Sequence, residues 1–277
     1  MRIDAHQHFW RRDRGDYDWL SPALAPLWRD FLPDDLVPLL ARHGIAGCVL
    51  VQAAPTAAET DYMLSLARAH SVIRGVVGWT DLAAPDAPAR IAALAADPQL
   101  VGLRPMLQDL PDDDAILDPA VQPALAAMAT QGLALDALIR PRHLTRLRTL
   151  RDRHPDLKIV IDHAAKPDIA SGDLAGWARD LAAVAADCRT HIKLSGLVTE
   201  AAAEWQVADL KPVAETVLAA FGPDRVMWGS DWPVLNLAGT YDQWVAATEE
   251  LLAGLDAAGQ AAVRGGTAVR FYGLEDS

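Results

Sequence analysis

Two cysteines in 277 residues cannot build a disulfide framework. Cys48 sits in an apolar run and Cys188 near the end of an expected helix, and neither has a second Cys or a His at metal-ligand spacing. A cytoplasmic, disulfide-free protein is the expectation. Basic residues are also scarce, with 25 Lys and Arg against 37 Asp and Glu, a formal net charge of -12. A field of that sign repels phosphate backbones and anionic membrane surfaces, which argues against nucleic acid or membrane and for a small-molecule partner. No apolar run approaches the roughly 18 residues needed to span a bilayer. The first residues lack a basic region followed by an apolar one, so no signal peptide is recognisable. No GxGxxG turn follows the first strand-like segment, which removes the usual mark of a dinucleotide fold. Linkers, low-complexity tracts and sequence repeats are missing as well, and only the tail LEDS reads as disordered.

What the chain does contain is 51% hydrophobic residues, enough for a large core. Short Val, Ile and Leu runs alternate with longer Ala and Leu segments of helical period. The runs predict strands over Arg2–Phe9, Gly47–Ala53, Arg74–Trp79, Leu100–Arg104, Leu133–Ala137, Lys158–His163, His191–Ser195 and Arg225–Gly229. Helices are predicted over Asp34–His43, Ala58–His70, Ala87–Ala96, Pro119–Thr130, Pro141–His154, Leu174–Ala186, Leu210–Phe221 and Tyr241–Leu252. Gly44 and Gly132 stand where C-terminal caps belong. Such continuously apolar strands suit a parallel sheet covered by helices. Eight β/α units give a single-domain (β/α)8 TIM barrel over residues 1–277, with a doubly wound open sheet as the alternative.

A parallel barrel carries its chemistry where the strands end. The first ends in His6-Gln7-His8, the second at Gln52, the fourth at Arg104, the sixth at Asp162-His163, the seventh beside Lys193, and the eighth before Asp231. Alternation along a strand puts His6 and His8 on one face, about 7 Å apart. That pair can bite one metal ion, with His163 or Asp231 completing the set, and neutral imidazole favours zinc. The bland alternatives are a hydrogen-bonded packing role for each His and a helix cap for Asp231. Arg104, Lys166 and Lys193 either pair with a carboxylate such as Asp162 or bind an oxygen-rich substrate. Gln52, Trp10 and Trp232 are candidate substrate contacts, and Trp79 a candidate pocket wall. His43, His70, His143 and His154 read as surface residues, and Pro111–Asp114 as a solvated loop.

The ordered motifs DAHQHFW, VGLRP, DHAAKP, KLSGL and WGSDWPV, from residue 4 to residue 234, resemble the amidohydrolase superfamily. The similarity is closer to its amidohydrolase-2 branch of sugar lactonases. The resemblance implies hydrolysis at the strand C-termini, with His6 and His8 as the first-strand pair, His163 as the sixth-strand histidine and Asp231 as general base. It implies one divalent ion on His6, His8 and Asp231, or none, because some lactonases of this branch work without metal. Arg104 stands where a bridging lysine or glutamate would be sought, which disfavours a two-metal centre. The expected reaction is opening of an aldonolactone to its acid. A metal-dependent decarboxylase or aromatic-acid lactonase is a second reading, and a non-catalytic binding barrel a third.

Overall fold

Strands apolar on both faces need cover on both. The computed structural model, which describes residues 1–274, provides it with a ring of helices outside and a packed interior. Eight parallel strands follow one another in chain order: β1 (Ile3–Gln7), β2 (Gly47–Val51), β3 (Ile73–Gly78), β4 (Leu100–Leu103), β5 (Ala134–Ala137), β6 (Lys158–Ile161), β7 (Thr190–Leu194) and β8 (Val226–Trp228). The outer helices are α1 (Pro33–Arg42), α2 (Ala57–Ala69), α3 (Ala87–Leu94), α4 (Gln122–Gln131), α5 (Leu144–Arg153), α6 (Ala175–Ala185), α7 (Val207–Phe221) and α8 (Tyr241–Leu251). The ends of the sheet meet at the mouth, where His8 N donates to Trp232 O at 2.7 Å and Asp231 N to His6 O at 2.8 Å. The expected (β/α)8 barrel is therefore the observed one.

Three helix starts differ from expectation for local reasons. Asp118 accepts from Ala120 N at 2.7 Å, turning the chain before α4 begins. Residues Pro141–His143 form a single 3-10 turn ahead of α5. Asp209 accepts from Gln206 N and so starts α7 three residues earlier than its apolar pattern does.

The C-terminal segment was not foreseen. Two short helices, α9 (Ala257–Ala261) and α10 (Thr267–Tyr272), flank a π turn and run under the barrel. Gly265 makes this possible, because a Cβ there would lie 2.5 Å from Met1 O and 2.6 Å from Ile3 N. Phe271, Tyr272 and Leu274 pack with Ile3, Val49, Val77, Val160 and Met227 as the lower interior layer. Each such side chain contributes roughly 1.5–3 kcal/mol by leaving water. Leu274, first residue of the supposedly disordered tail, is thus part of the core, and the rest of that tail lies outside the described residues.

One irregularity decides where the first-strand histidines point. Between β1 and β2 the pairing moves from Asp4 opposite Cys48 to Gln7 opposite Leu50, so β1 carries one extra residue. Asp4 faces outward and accepts from Ser230 N at 2.8 Å and Tyr241 Oη at 3.0 Å, whereas Ala5 lies in the interior layer. After this bulge the inward positions become His6 and His8. Simple alternation would have grouped both histidines with Asp4.

Candidate active site

Above the apolar plug the barrel interior turns charged. Asp136 from β5, Asp162 after β6 and Lys193 from β7 are all fully buried. Lys193 Nζ lies 2.6 Å from Asp136 Oδ2 and 3.0 Å from Asp162 Oδ1, and Tyr272 reaches up from α10 to donate to Asp136 at 2.8 Å. His6 Nδ1 sits between Lys193 Nζ at 3.1 Å and Asp162 Oδ1 at 3.3 Å, so either tautomer of the ring has a partner. Arg104 Nη1 stands 3.4 Å from both His6 Nε2 and Asp162 Oδ2. Its other arm donates to the Gln52 carbonyl, and Gln52 Nε2 donates back to Arg104 O at 2.9 Å. Burial opposes the charge on Asp162, yet Lys193, His6 and Arg104 outweigh it and hold the carboxyl well below its ordinary range. Asp136, which shares Lys193 and feels Asp162, is instead pushed up to about 6 by burial.

Over this layer His8, His163 and Asp231 face one another. His8 Nδ1 donates to Val51 O at 2.7 Å, because a carbonyl can only accept. His8 Nε2 is therefore turned on Asp231 Oδ1, 3.3 Å away. Asp231 Oδ1 also lies 3.7 Å from His6 Nε2 and 3.8 Å from His163 Nε2. Burial raises the Asp231 carboxyl, but His163, His8 and His6 overcome it and leave the group ionised far below the usual carboxylate range. His163 is lowered to about 4, chiefly by burial, and stays neutral near pH 7.

The local sequence explains this placement. His163, Ala164, Ala165, Lys166 and Asp231 all have φ between 51° and 61°, a left-handed conformation that non-glycine residues adopt at a cost of ~1–3 kcal/mol each. Trp177 Nε1 holds the first of these turns through Ala164 O at 2.7 Å. In KLSG, Ser195 Oγ meets His163 Nδ1 at 2.9 Å, and Gly196 leaves room for the ring, since a Cβ there would come within 2.6 Å of Nδ1. In WGSD, Gly229 lets β1 approach β8, where a Cβ would meet that of His6 at 2.7 Å.

A cavity of about 1000 Å³ opens over the cluster, with His8, Arg104, His163, Lys166 and Asp231 on its inner wall. Lys166 lies 3.6 Å from Glu200. Four expected substrate contacts lie elsewhere. Lys193 is sealed beneath His6, and Gln52 brackets Arg104 from a fully buried position. Trp10 is fully buried against Tyr17, Trp19 and Phe31, donating to Arg29 O, so it anchors the long loop that runs from residue 11 to residue 32 between β1 and α1. Trp232 packs on Phe9 and Phe31 behind the site. Trp19 and Trp79 face the cavity instead. Trp19 belongs to the loop of residues 11–32, whose wealth of Trp, Asp and Arg points to a part in substrate choice, although no period singles out the residue. His143 is buried rather than superficial, its Nδ1 accepting from Arg140 N at 3.0 Å. Residues 111–114 form the expected solvated loop, with Asp113 paired to Arg142, Asp114 to Arg146 and Asp112 alone on the cavity wall.

The donor set fits one divalent ion. Ligand atoms of His6, His163 and Asp231 all lie within 4.8 Å of one another, a three-ligand set with an open side toward the cavity. Ser195 and Asp162 hold the far nitrogens of the two rings, the support that metal-binding imidazoles need. His8, expected in this set, is turned by its Val51 bond toward Asp231 alone and lies outside the group of three.

The model of the family described as Amidohydrolase matches residues 3–274. An L-fucono-1,5-lactonase of Burkholderia ambifaria is 48% identical over 281 residues, covering 99% of this chain and 96% of that protein. An L-fucono-1,5-lactonase of Burkholderia multivorans is 39% identical over 290 residues, covering 100% and 97%. The crystal structure of an amidohydrolase from Burkholderia multivorans with bound zinc has a TM-score of 0.93 at 38% identity, with 99% of each chain covered. Matched from the first strand to the C-terminal plug, this chain belongs to the amidohydrolase family.

Proposed function

We propose that this protein hydrolyses an aldono-1,5-lactone of the L-fucono type to the open aldonic acid. The observation that carries the reading is an ionised, buried Asp231 ringed by three imidazoles at the inner wall of a cavity, in a chain 48% identical to an L-fucono-1,5-lactonase. Asp231 takes a proton from water, and the hydroxide so formed adds to the lactone carbonyl. Arg104 and the His163 ring, through Nε2, donate to the oxyanion that develops. Collapse breaks the bond to the ring oxygen, and Asp231 returns its proton to that oxygen. Lys166 orients the ring through its hydroxyls. An ion held by His6, His163 and Asp231, zinc by preference, would supply Lewis-acid polarisation of the carbonyl. We place the reaction in the cytoplasm, where the unpaired Cys48 and Cys188 stay reduced.

The decarboxylase or aromatic-acid reading is weaker. Among the described residues only Arg104 and Lys166 bring positive charge to the cavity, and Asp162 and Glu200 already engage them. No helix of the described residues is long and apolar enough to cross a membrane. The deciding assay follows acid release from L-fucono-1,5-lactone and other aldonolactones with a pH indicator, before and after chelation. Release well above the spontaneous rate is expected, and its absence for every lactone overturns the proposal. Full activity after complete metal removal would discard the ion and leave the hydrolase.

A further inference from the structure

The cavity is much larger than the substrate just proposed. A six-carbon sugar lactone has about a dozen heavy atoms, which at no more than the ~30 Å³ of a liquid water molecule each would displace at most about 360 Å³. The cavity holds about 1000 Å³. The loops after β1, β2, β3 and β4 line it, and beside aliphatic side chains such as Leu82, Leu107, Leu110 and Ile116 they furnish it with two further kinds of group. Trp19 and Trp79 present aromatic surface, Trp19 being 37% exposed and fixed through Nε1 to Ala53 O at 2.8 Å. Asp81, Asp109, Asp112 and Asp118 supply carboxylates. Asp81, Asp112 and Asp118 each use Oδ1 on a backbone N–H two residues ahead, at 3.0, 2.9 and 2.7 Å. Among the described residues their Oδ2 atoms are free to accept.

Aromatic faces beside carboxylate acceptors match a pyranose ring, which has an apolar C–H face and a rim of hydroxyl donors. An anionic group would be repelled by the same carboxylates, and a plain hydrocarbon arm would leave them unused. Resting on the lactonase reading above, we infer that the outer half of the cavity is a subsite for a second, uncharged sugar ring. The favoured substrate is then an aldono-1,5-lactone bearing a glycosyl substituent.

The test compares L-fucono-1,5-lactone with its glucosyl derivatives at O2, O3 and O4, measured on the intact protein. At least one derivative should exceed the parent in kcat/KM by about tenfold. Trp19→Ala should remove that advantage and leave the parent lactone within twofold. Asp112→Ala, an exposed position, should reduce the advantage severalfold without touching the fold. Hydrolysis of the parent with every derivative equal or poorer overturns the subsite and leaves the lactonase intact. Equal losses on parent and derivative in both variants overturn it too. Preference for an n-alkyl ether of the parent over every glucosyl derivative assigns the space to hydrocarbon and likewise refutes the inference. Failure to hydrolyse any lactone, parent included, refutes the lactonase reading itself.

Discussion

The interior layer of the barrel and the loop-built wall above it use the same residue types in opposite ways. Inside, Asp136 and Asp162 are matched by Lys193 and Arg104, every group is strand-borne or next to a strand end, and all four are buried. On the wall, Asp16, Asp18, Asp81, Asp109, Asp112 and Asp118 gather with Lys166 as the one cation beyond Arg104 among the described residues. Water can solvate the second group, so its charges need no partners. The first has no water to turn to, so removing one member exposes the rest. On the proposed reading, position and chemistry belong to the interior and choice of substrate to the wall.

The largest effect expected is on turnover, at the boundary between the two. Asp231→Asn keeps the shape of the side chain and removes the proposed base. A loss of about 10³-fold in kcat is expected, within the range for a positioned acid–base group, with the thermal midpoint nearly unchanged. Steady-state rates and a melting curve check this. Retention of more than a tenth of the activity would remove Asp231 from its role.

Next comes the interior balance. Lys193→Met leaves Asp136 and Asp162 with Arg104 as the nearby strand-end cation, and a loss of about 3–5 kcal/mol in urea unfolding is expected. Its sign with pH is informative. Without Lys193 the Asp136 carboxyl, already raised to about 6, rises further. A group with a raised folded value stabilises below its unfolded value and loses that contribution as pH climbs through the folded one. The variant should therefore recover stability on acidification toward pH 5 more than the parent does. A variant as stable as the parent at pH 8 would show that the layer is not held by compensation.

Sequence reading reached the interior better than the wall. Strand positions follow from apolar runs, and a polar residue ending such a run stands out: His6, His8, Arg104, His163, Lys193 and Asp231 were all visible that way and the structure clusters them. What alternation could not supply was the bulge that separates Asp4 from His6, since an extra residue in one strand has no period of its own. Asp136, central to the charged layer, was hidden inside the apolar run ALDA. Trp10 and Trp232, expected as substrate contacts, are packed instead, because lining and burial look alike at a strand end. Tyr272 was out of reach because its partner Asp136 lies 136 residues away.

The smallest effect belongs to the wall, at a buried carboxylate that supports it. Glu59, in the first turn of α2, accepts from Tyr17 Oη at 2.7 Å and from Ala53 N at 3.2 Å, tying the loop after β1 to the loop after β2. Those donors are neutral, and the nearest cation, Arg14, is 4.0 Å away. Burial therefore dominates and lifts the carboxyl from 4.5 to about 7, unlike Asp162 with its adjacent cations. Between those two pH values the folded chain keeps a proton that the unfolded chain has released, so stability falls as pH rises across the window. The contribution is on the order of 2 kcal/mol, taking about 1.4 kcal/mol per unit of pKa and allowing for partial hydration. Glu59→Gln carries no titrating group and should flatten that part of the slope. Asp4 and Asp136 titrate in the same direction and are present in both proteins, so the difference in urea midpoint between parent and variant, followed from pH 4.5 to pH 8, isolates Glu59. Parallel curves would mean that Glu59 ionises in the folded chain as it does in the unfolded one, its charge then being as fully compensated as those of the interior beneath it.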